Sequence, residues 1–281
     1  MTAPKIWIEF AQHAQRSRGI DAARAIFERA ITAVGLDIAA GGTVWNEWRK
    51  MERSLGSKNK DRVHMLFGRQ LSVPMTAMES TLEEYRNFAT ENGFAADEYD
   101  STYEKAHAAL VEREPYETAI GFGSVVLEDP WLHYLSFEIS HGDAARIRTL
   151  YERAVAACCL SPTLWTDYIK WTSSVSSSAA VEVAQRAVRN VTSYGVAWAT
   201  LLRVLDADNR SLDEIAAVFR KAEQTDLVAP GEFVQIFIAF AEILRRAYSA
   251  EASTHVLELL TDTLTRGASY VDERMLLRMD I

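Results

Sequence analysis

Cysteine is almost absent from this sequence: Cys158 and Cys159 are the two in 281 residues. Neighbouring cysteines close a bridge only through a strained peptide, so no disulfide framework is expected, and a reducing compartment suits the chain. Proline and glycine are scarce too, at 6 and 13 residues, too few for turn-rich sandwiches and barrels. Long apolar runs are missing. No uncharged stretch approaches the roughly 18 residues of a membrane-spanning helix. The first ten residues carry Glu9 and no apolar core, so neither a signal peptide nor a membrane anchor is expected. Nor is there an excess of positive charge. Thirty basic residues stand against 39 acidic ones, a net charge of -9, which excludes a whole-chain field that attracts a nucleic acid backbone.

Catalytic and ligand-binding signatures are equally thin. The six histidines (His13, His64, His107, His133, His141, His255) are dispersed, with no His-Glu-x2-His or Cys-x2-Cys spacing, so no metal is expected. There is no glycine-rich nucleotide fingerprint, no Walker loop and no Gly-x-Ser-x-Gly elbow. Gly121-Phe-Gly123 reads as a short loop. Carboxylate pairs such as Glu83-Glu84 or Asp206 with Asp208 read as solvated helix faces in an acidic chain. Cys158 and Cys159 read as small packing residues at the end of a helix, without a neighbouring base to activate a thiolate. No catalytic residue and no cofactor is therefore expected.

What the sequence has is a repeat. Trp7, Trp45, Trp131, Trp165 and Trp198 lie 38, 86, 34 and 33 residues apart. Leu82 fills the double gap: Tyr85 follows it by three residues, as Trp48 follows Trp45, Tyr134 follows Trp131 and Tyr168 follows Trp165. Phe233 and Phe237 open a seventh unit. A second motif trails the first: Ile26-Phe-Glu-Arg-Ala30, Leu66-Phe-Gly-Arg-Gln70, Thr102-Tyr-Glu-Lys-Ala106, Leu150-Tyr-Glu-Arg-Ala154, Val183-Ala-Gln-Arg-Ala187 and Val218-Phe-Arg-Lys-Ala222. Its fourth position is always basic: Arg29, Arg69, Lys105, Arg153, Arg186, Lys221.

Each half of a unit is helical by period. Trp131, Tyr134, Leu135, Glu138 and Ile139 fall at i, i+3, i+4, i+7 and i+8, and Ile147 to Val155 repeat that spacing. Gly142 and Asp143 between them suit a helix stop and an N-cap. One unit is a helical hairpin, and hairpins that cannot bury their apolar stripes alone must stack. The fold class expected is all-α, an α-α superhelix of about six to seven hairpins. We expect one domain over 1–281, with units beginning near 7, 45, 82, 131, 165, 198 and 233.

Within a unit, the aromatic three residues after the lead position is expected to meet the aromatic of the second helix, as Tyr134 with Tyr151. The recurrent basic residue is expected to link the two helices through the glutamate of the first, as Arg153 with Glu138 and Arg69 with Glu52. Partner specificity should then lie in residues that differ between units. Segment 108–130, with Pro115, Gly121, Gly123 and Pro130, breaks the period; it is expected to form a bent extra helix that contributes to a partner site. Ser173 to Ser178 is expected to be a flexible loop.

The pattern Trp131-x2-Tyr134-x3-Glu138, with Ala145-Arg-Ile147 and Tyr151-Glu-Arg-Ala154, resembles the half-a-TPR (HAT) repeat of RNA-processing scaffolds, across essentially the whole chain. Val63 to Pro74, Tyr103 to Ala106, Glu114 to Glu117 and Phe137 to Arg146 are similar to the N-terminal HAT region of the family that recycles U4/U6 snRNPs. That resemblance implies a non-catalytic protein-interaction scaffold in pre-mRNA splicing, nuclear, with snRNP components as partners. In the family a second HAT block dimerises and recruits ubiquitin-specific proteases, while RNA-recognition motifs bind RNA directly. The RNP signature of such motifs does not occur here; any U6 snRNA contact of this piece is expected to be indirect or weak. Two alternatives stay open: a HAT scaffold of another complex, such as 3'-end cleavage or a crooked-neck-like splicing factor, and a helical-repeat prenyltransferase-like subunit. The latter would need an Asp-Asp-x2-Asp or Asn-Tyr-x2-Trp motif, and neither is present.

Overall fold

The computed structural model describes residues 4–121, 127–251 and 253–279. Among them the regular structure is helical, arranged as seven consecutive hairpins: α1 (Pro4–Arg18) with α2 (Ile20–Val34), α3 (Gly41–Ser54) with α4 (Lys60–Leu71), α5 (Met78–Asn92) with α6 (Asp100–Gly121), α7 (Glu128–His141) with α8 (Ala144–Ala157), α9 (Pro162–Val175) with α10 (Ser177–Asn190), α11 (Gly195–Ala207) with α12 (Leu212–Glu223), and α13 (Pro230–Glu251) with α14 (Thr254–Met279). The all-α helical-repeat class is as the periodicity requires. Each lead residue, from Trp7 to Phe233, lies in the first helix of its hairpin.

Local chemistry sets the helix ends. Gly142 closes α7 in the left-handed region at φ 77°, and Asp143 Oδ1 accepts hydrogen bonds from the amides of Ala145 and Arg146, capping α8 as expected. Ser161 and Pro162 start α9, Ser161 Oγ accepting from Leu164 N. Ser211 caps α12 in the same way. Asn209, at φ 57°, turns the chain after α11.

Two expectations are corrected, a loop and an extra helix. The serine run from Ser173 to Ser178 is almost wholly helical: α9 runs to Val175, and Ser176 alone separates it from α10 while its hydroxyl caps that helix. A serine beside an apolar helical stripe acts as a cap before it acts as a linker. Segment 108–130 is not a separate helix either. Its first part extends α6 through Pro115 to Gly121, residues 122–126 lie outside those described, and Glu128 already belongs to α7. Two ion pairs hold the extension, Arg113 to Glu138 on α7 and Glu117 to Arg153 on α8. Cys158 and Cys159 follow the end of α8 rather than packing inside it; Cys159 is exposed.

The chain divides into two compact units, residues 1–157 and 158–281. In the first, α1 to α4 enclose a core around Phe27, Val44, Trp45 and Trp48. A second cluster joins Val63, Phe67 and Leu71 of α4 to Leu82, Tyr85 and Phe88 of α5. In the other unit Leu164, Trp165, Leu202, Phe219, Ile236 and Leu244 are almost fully buried. Small residues, such as Ala11, Ala30, Ala184 and Ala222, sit at zero exposure where helices approach each other.

Candidate interaction surfaces

Side chains that the repeats spend on their own packing are not free to meet a partner, so the recurrent ones come first. The lead tryptophans are tied on two sides. Trp45 donates its indole N–H to the carbonyl of Gly35 at 3.0 Å, Trp165 to Cys159 at 2.8 Å and Trp198 to Thr192 at 2.8 Å, each in the connection that enters the unit. On the other side lies the recurrent arginine of the same unit. Arg29 sits 5.6 Å from the Trp7 ring centre, Arg69 5.3 Å from Trp45, Arg153 5.6 Å from Trp131 and Arg186 5.4 Å from Trp165. The basic residue therefore links the two helices of its hairpin, but through the tryptophan ring, by a cation–π contact.

The glutamates expected opposite those arginines have other partners. Glu52 receives the Nε and Nη2 hydrogens of Arg24 from α2, at 2.8 Å each, and Glu138 receives those of Arg113 from α6, at 2.7 and 3.1 Å. Both carboxylates are buried, and both bridge to the preceding hairpin. Arg69 instead pairs bidentately with Glu28 on α2, and Arg153 with Glu117 while also facing Asp37. Heptad-like spacing identified the charged positions without the register between hairpins, so the intra-unit pairs Arg153–Glu138 and Arg69–Glu52 are corrected to inter-unit ones.

Stacked rings follow the same rule. Trp48 lies parallel to Phe27 at 5.6 Å, Tyr134 to Tyr116 at 5.3 Å, and Tyr85 is 5.5 Å from Phe67. In each case the aromatic three residues after the lead meets the second helix of the hairpin before it. These rings seal the stack between hairpins.

The carboxylates read as solvated faces are also engaged. Glu84 accepts from Arg49 and Arg53, both at 2.7 Å; Asp206 accepts from Arg246 at 2.7 Å, and Asp208 from Arg210 at 2.9 Å. Hydrogen bonds from Arg210 and then Ser177 hold the Asp208 carboxyl below its usual pKa. Among the described residues no group of three or more His, Cys, Asp or Glu side chains is placed to hold a metal ion, and no helix is long and apolar enough to cross a membrane. His64 packs parallel to Phe94 at 4.2 Å and meets Glu98 and the Tyr99 hydroxyl at 3.1 Å, inside the α4–α5 cluster.

Among the described residues, three concave surfaces bear on binding. An aromatic groove of about 800 Å³ between α6 and α7 is lined by Pro115, Tyr116, Pro130, His133 and Phe137; it lies on the irregular segment singled out in the sequence. An apolar groove of about 420 Å³ between α13 and α14 is formed by Phe237, Ile238, Leu260 and Leu264. A polar pocket of about 410 Å³ is built by α6 with the α4–α5 and α7–α8 connections. The repeat period marks only Lys105 and its neighbours in the third one, because its residues come from three separate segments.

Comparison with known proteins bears on the whole chain. A family model described as PRP39 C-terminal HAT repeat matches residues 127–246. The Homo sapiens protein named "Spliceosome associated factor 3, U4/U6 recycling protein" is 29% identical over 280 residues, 97% of this chain and 29% of that protein. Its Danio rerio counterpart is 31% identical over 274 residues, 87% of this chain and 28% of that protein. "Pre-mRNA-processing factor 39" of Danio rerio is 27% identical over 97 residues, 33% of this chain and 12% of that protein. The chain spans about a third or less of the length of the curated relatives it matches.

Proposed function

We propose that this HAT-repeat chain is a non-catalytic protein-interaction scaffold in pre-mRNA splicing, working in U4/U6 snRNP assembly and recycling in the nucleus. The observation that carries the reading is the similarity to U4/U6 recycling proteins over 97% of the chain. The packing of the repeats supports the reading. Tryptophans, arginines and glutamates that recur are consumed by the repeat itself, so the unit surfaces are held in place before a partner arrives. Binding to such a surface does not incur the entropy of ordering it. Contacts fall to the residues that vary between hairpins, and partners are snRNP proteins, with U6 snRNA approached through them.

One observation favours a second reading. The matched family model and the Danio rerio relative both carry the PRP39 or pre-mRNA-processing factor 39 name, which fits a HAT scaffold of another splicing complex with the same fold and different partners.

Affinity capture from nuclear extract with this chain as bait, followed by mass spectrometry with and without nuclease, separates the two. Recovery of U4/U6 snRNP proteins that survives nuclease supports the first reading. Recovery of a different processing complex alone overturns it and keeps the scaffold role.

A further inference from the structure

The polar pocket of the first compact unit is cationic beyond what its own acids neutralise. Lys105 and Arg113 reach its wall from α6, and Arg146 and His141 from the α7–α8 corner; Asp143 is the one acid that lines it. Two of these charges are already committed. Arg113 spends Nε and Nη2 on Glu138 and donates from Nη1 to the carbonyl of Ala109 at 2.7 Å, with Glu112 a further 4.0 Å away on the solvent side. Asp143 uses Oδ1 to cap α8 and leaves Oδ2 at 3.7 Å from Arg146 Nε, beyond hydrogen-bond range.

Arg146, beyond its 3.7 Å contact with Asp143, and Lys105 keep donors to spare. The Arg146 side chain is 13% exposed, and its Nη1 is buried without a hydrogen-bond partner. A buried guanidinium nitrogen in that state forfeits its hydration with nothing in exchange. Burial, then the neighbouring charge of Arg113, pulls the Arg146 pKa below its usual value against the opposing pull of Glu138 and Asp143. Lys105 is exposed and makes no ion pair among the described residues.

We propose that this pocket binds the side-chain carboxylate of an acidic, extended peptide segment of a partner protein, held between Lys105 and Arg146. Lys105 and the partnerless Nη1 of Arg146 both line the pocket and offer donors to the two oxygens of one carboxylate. The cavity, at about 410 Å³, is also larger than one carboxylate needs, and Pro74, Ala106 and Ala109 supply an apolar wall for the residues beside it. The site does not depend on which splicing complex the chain serves.

The test is calorimetric titration of the full chain with a ten-residue peptide alternating glutamate and glycine, beside the same peptide with glutamine for glutamate, and beside inorganic phosphate. The expected result is saturable binding of the glutamate peptide, absent for the glutamine peptide, and weakened at least tenfold by Lys105→Glu. Lys105 is on the surface, so that variant keeps the fold; Arg146→Gln, if folded by circular dichroism, should weaken binding as much. A shift of the Arg146 Nε–H resonance during the titration places the ligand. Absence of binding, equal binding of both peptides, binding of phosphate alone, or an unchanged affinity in Lys105→Glu each overturns the proposal.

Discussion

The guanidinium of Arg186 lies 5.4 Å from the centre of the Trp165 ring, 21 residues earlier in the chain, while the indole N–H of Trp165 is donated to Cys159 O at 2.8 Å. One side chain thus joins the entry connection, the first helix and the second helix of a hairpin. Trp165 is 2% exposed; its replacement by alanine should cost about 3 to 5 kcal/mol as a large-to-small core change. Arg186→Ala alone should cost less, and a double-mutant cycle should return a coupling of about 0.5 to 2 kcal/mol. Urea denaturation of the four proteins measures it. A coupling near zero would reduce the arginine to a bystander.

The Arg113–Glu138 pair makes a sharper case, since 6% and 1% of the two side chains are exposed. Removing one partner strands a buried charge. Glu138→Gln should destabilise the chain by about 3 to 5 kcal/mol, whereas Arg113→Met combined with Glu138→Leu should recover most of that loss, because apolar side chains of similar volume need no hydration. Denaturation midpoints for the single and double variants check both statements. Recovery in the double variant would show that the pair specifies the register of α6 against α7 more than it stabilises it.

These two contacts mark how far the sequence could be read. Tryptophan spacing marked five of the seven hairpins, with Leu82 and Phe233 in the tryptophan's place in the other two, because a large apolar side chain needs a buried face and the face recurs once per unit. The helix ends at Gly142 and Asp143 were legible from conformational preference alone. Pairing between hairpins was not: Arg24 and Arg113 reach Glu52 and Glu138 across a helix crossing, and periodicity along one helix carries no information about the offset of the next. The same limit hid Tyr116 as the stacking partner of Tyr134. The cationic pocket was invisible for a related reason, since Lys105, His141 and Arg146 converge only after α6 packs on the α7–α8 corner.

Buried phenols should set the alkaline limit of the fold. Burial first, then Glu98 and neighbouring groups, pushes the Tyr85 pKa up to about 12, and Tyr134 is raised more strongly, chiefly by burial and then by Glu117. A folded-state pKa above the unfolded value of about 10 means that the neutral form is favoured in the fold. The associated stability is complete below about pH 10 and is lost as the pH rises through the raised values. Tyr134→Phe, which cannot ionise, should shift the alkaline unfolding midpoint upward; Tyr85→Phe should do so less, because the Tyr85 pKa is raised less, while each variant loses one hydroxyl hydrogen bond, to Ala95 O at 2.8 Å for Tyr85 and to Glu117 for Tyr134. Ellipticity followed from about pH 9 to about pH 12 decides it, and a midpoint lower in Tyr134→Phe than in the parent would contradict the assignment.

Two glycines should respond to the same substitution for different reasons. At Gly195 a Cβ would overlap the carbonyl of Glu232, which is backbone and cannot swing aside, while the Gly195 amide donates to Glu232 Oε2 at 2.7 Å. Gly195→Ala should therefore separate α11 from the start of α13 and cost about 1 to 3 kcal/mol as overpacking. Gly142 has open space around a Cβ but a φ of 77°, so Gly142→Ala should cost about 1 to 2 kcal/mol through left-handed strain, and Gly142→Asn less, because asparagine tolerates that region. Hydrogen exchange tells the two apart by location. Protection should fall around α11 and α13 for Gly195→Ala and around the α7–α8 corner for Gly142→Ala. If Gly142→Asn proved as damaging as Gly142→Ala, the strain account would fail, and a lost contact at that corner would have to take its place.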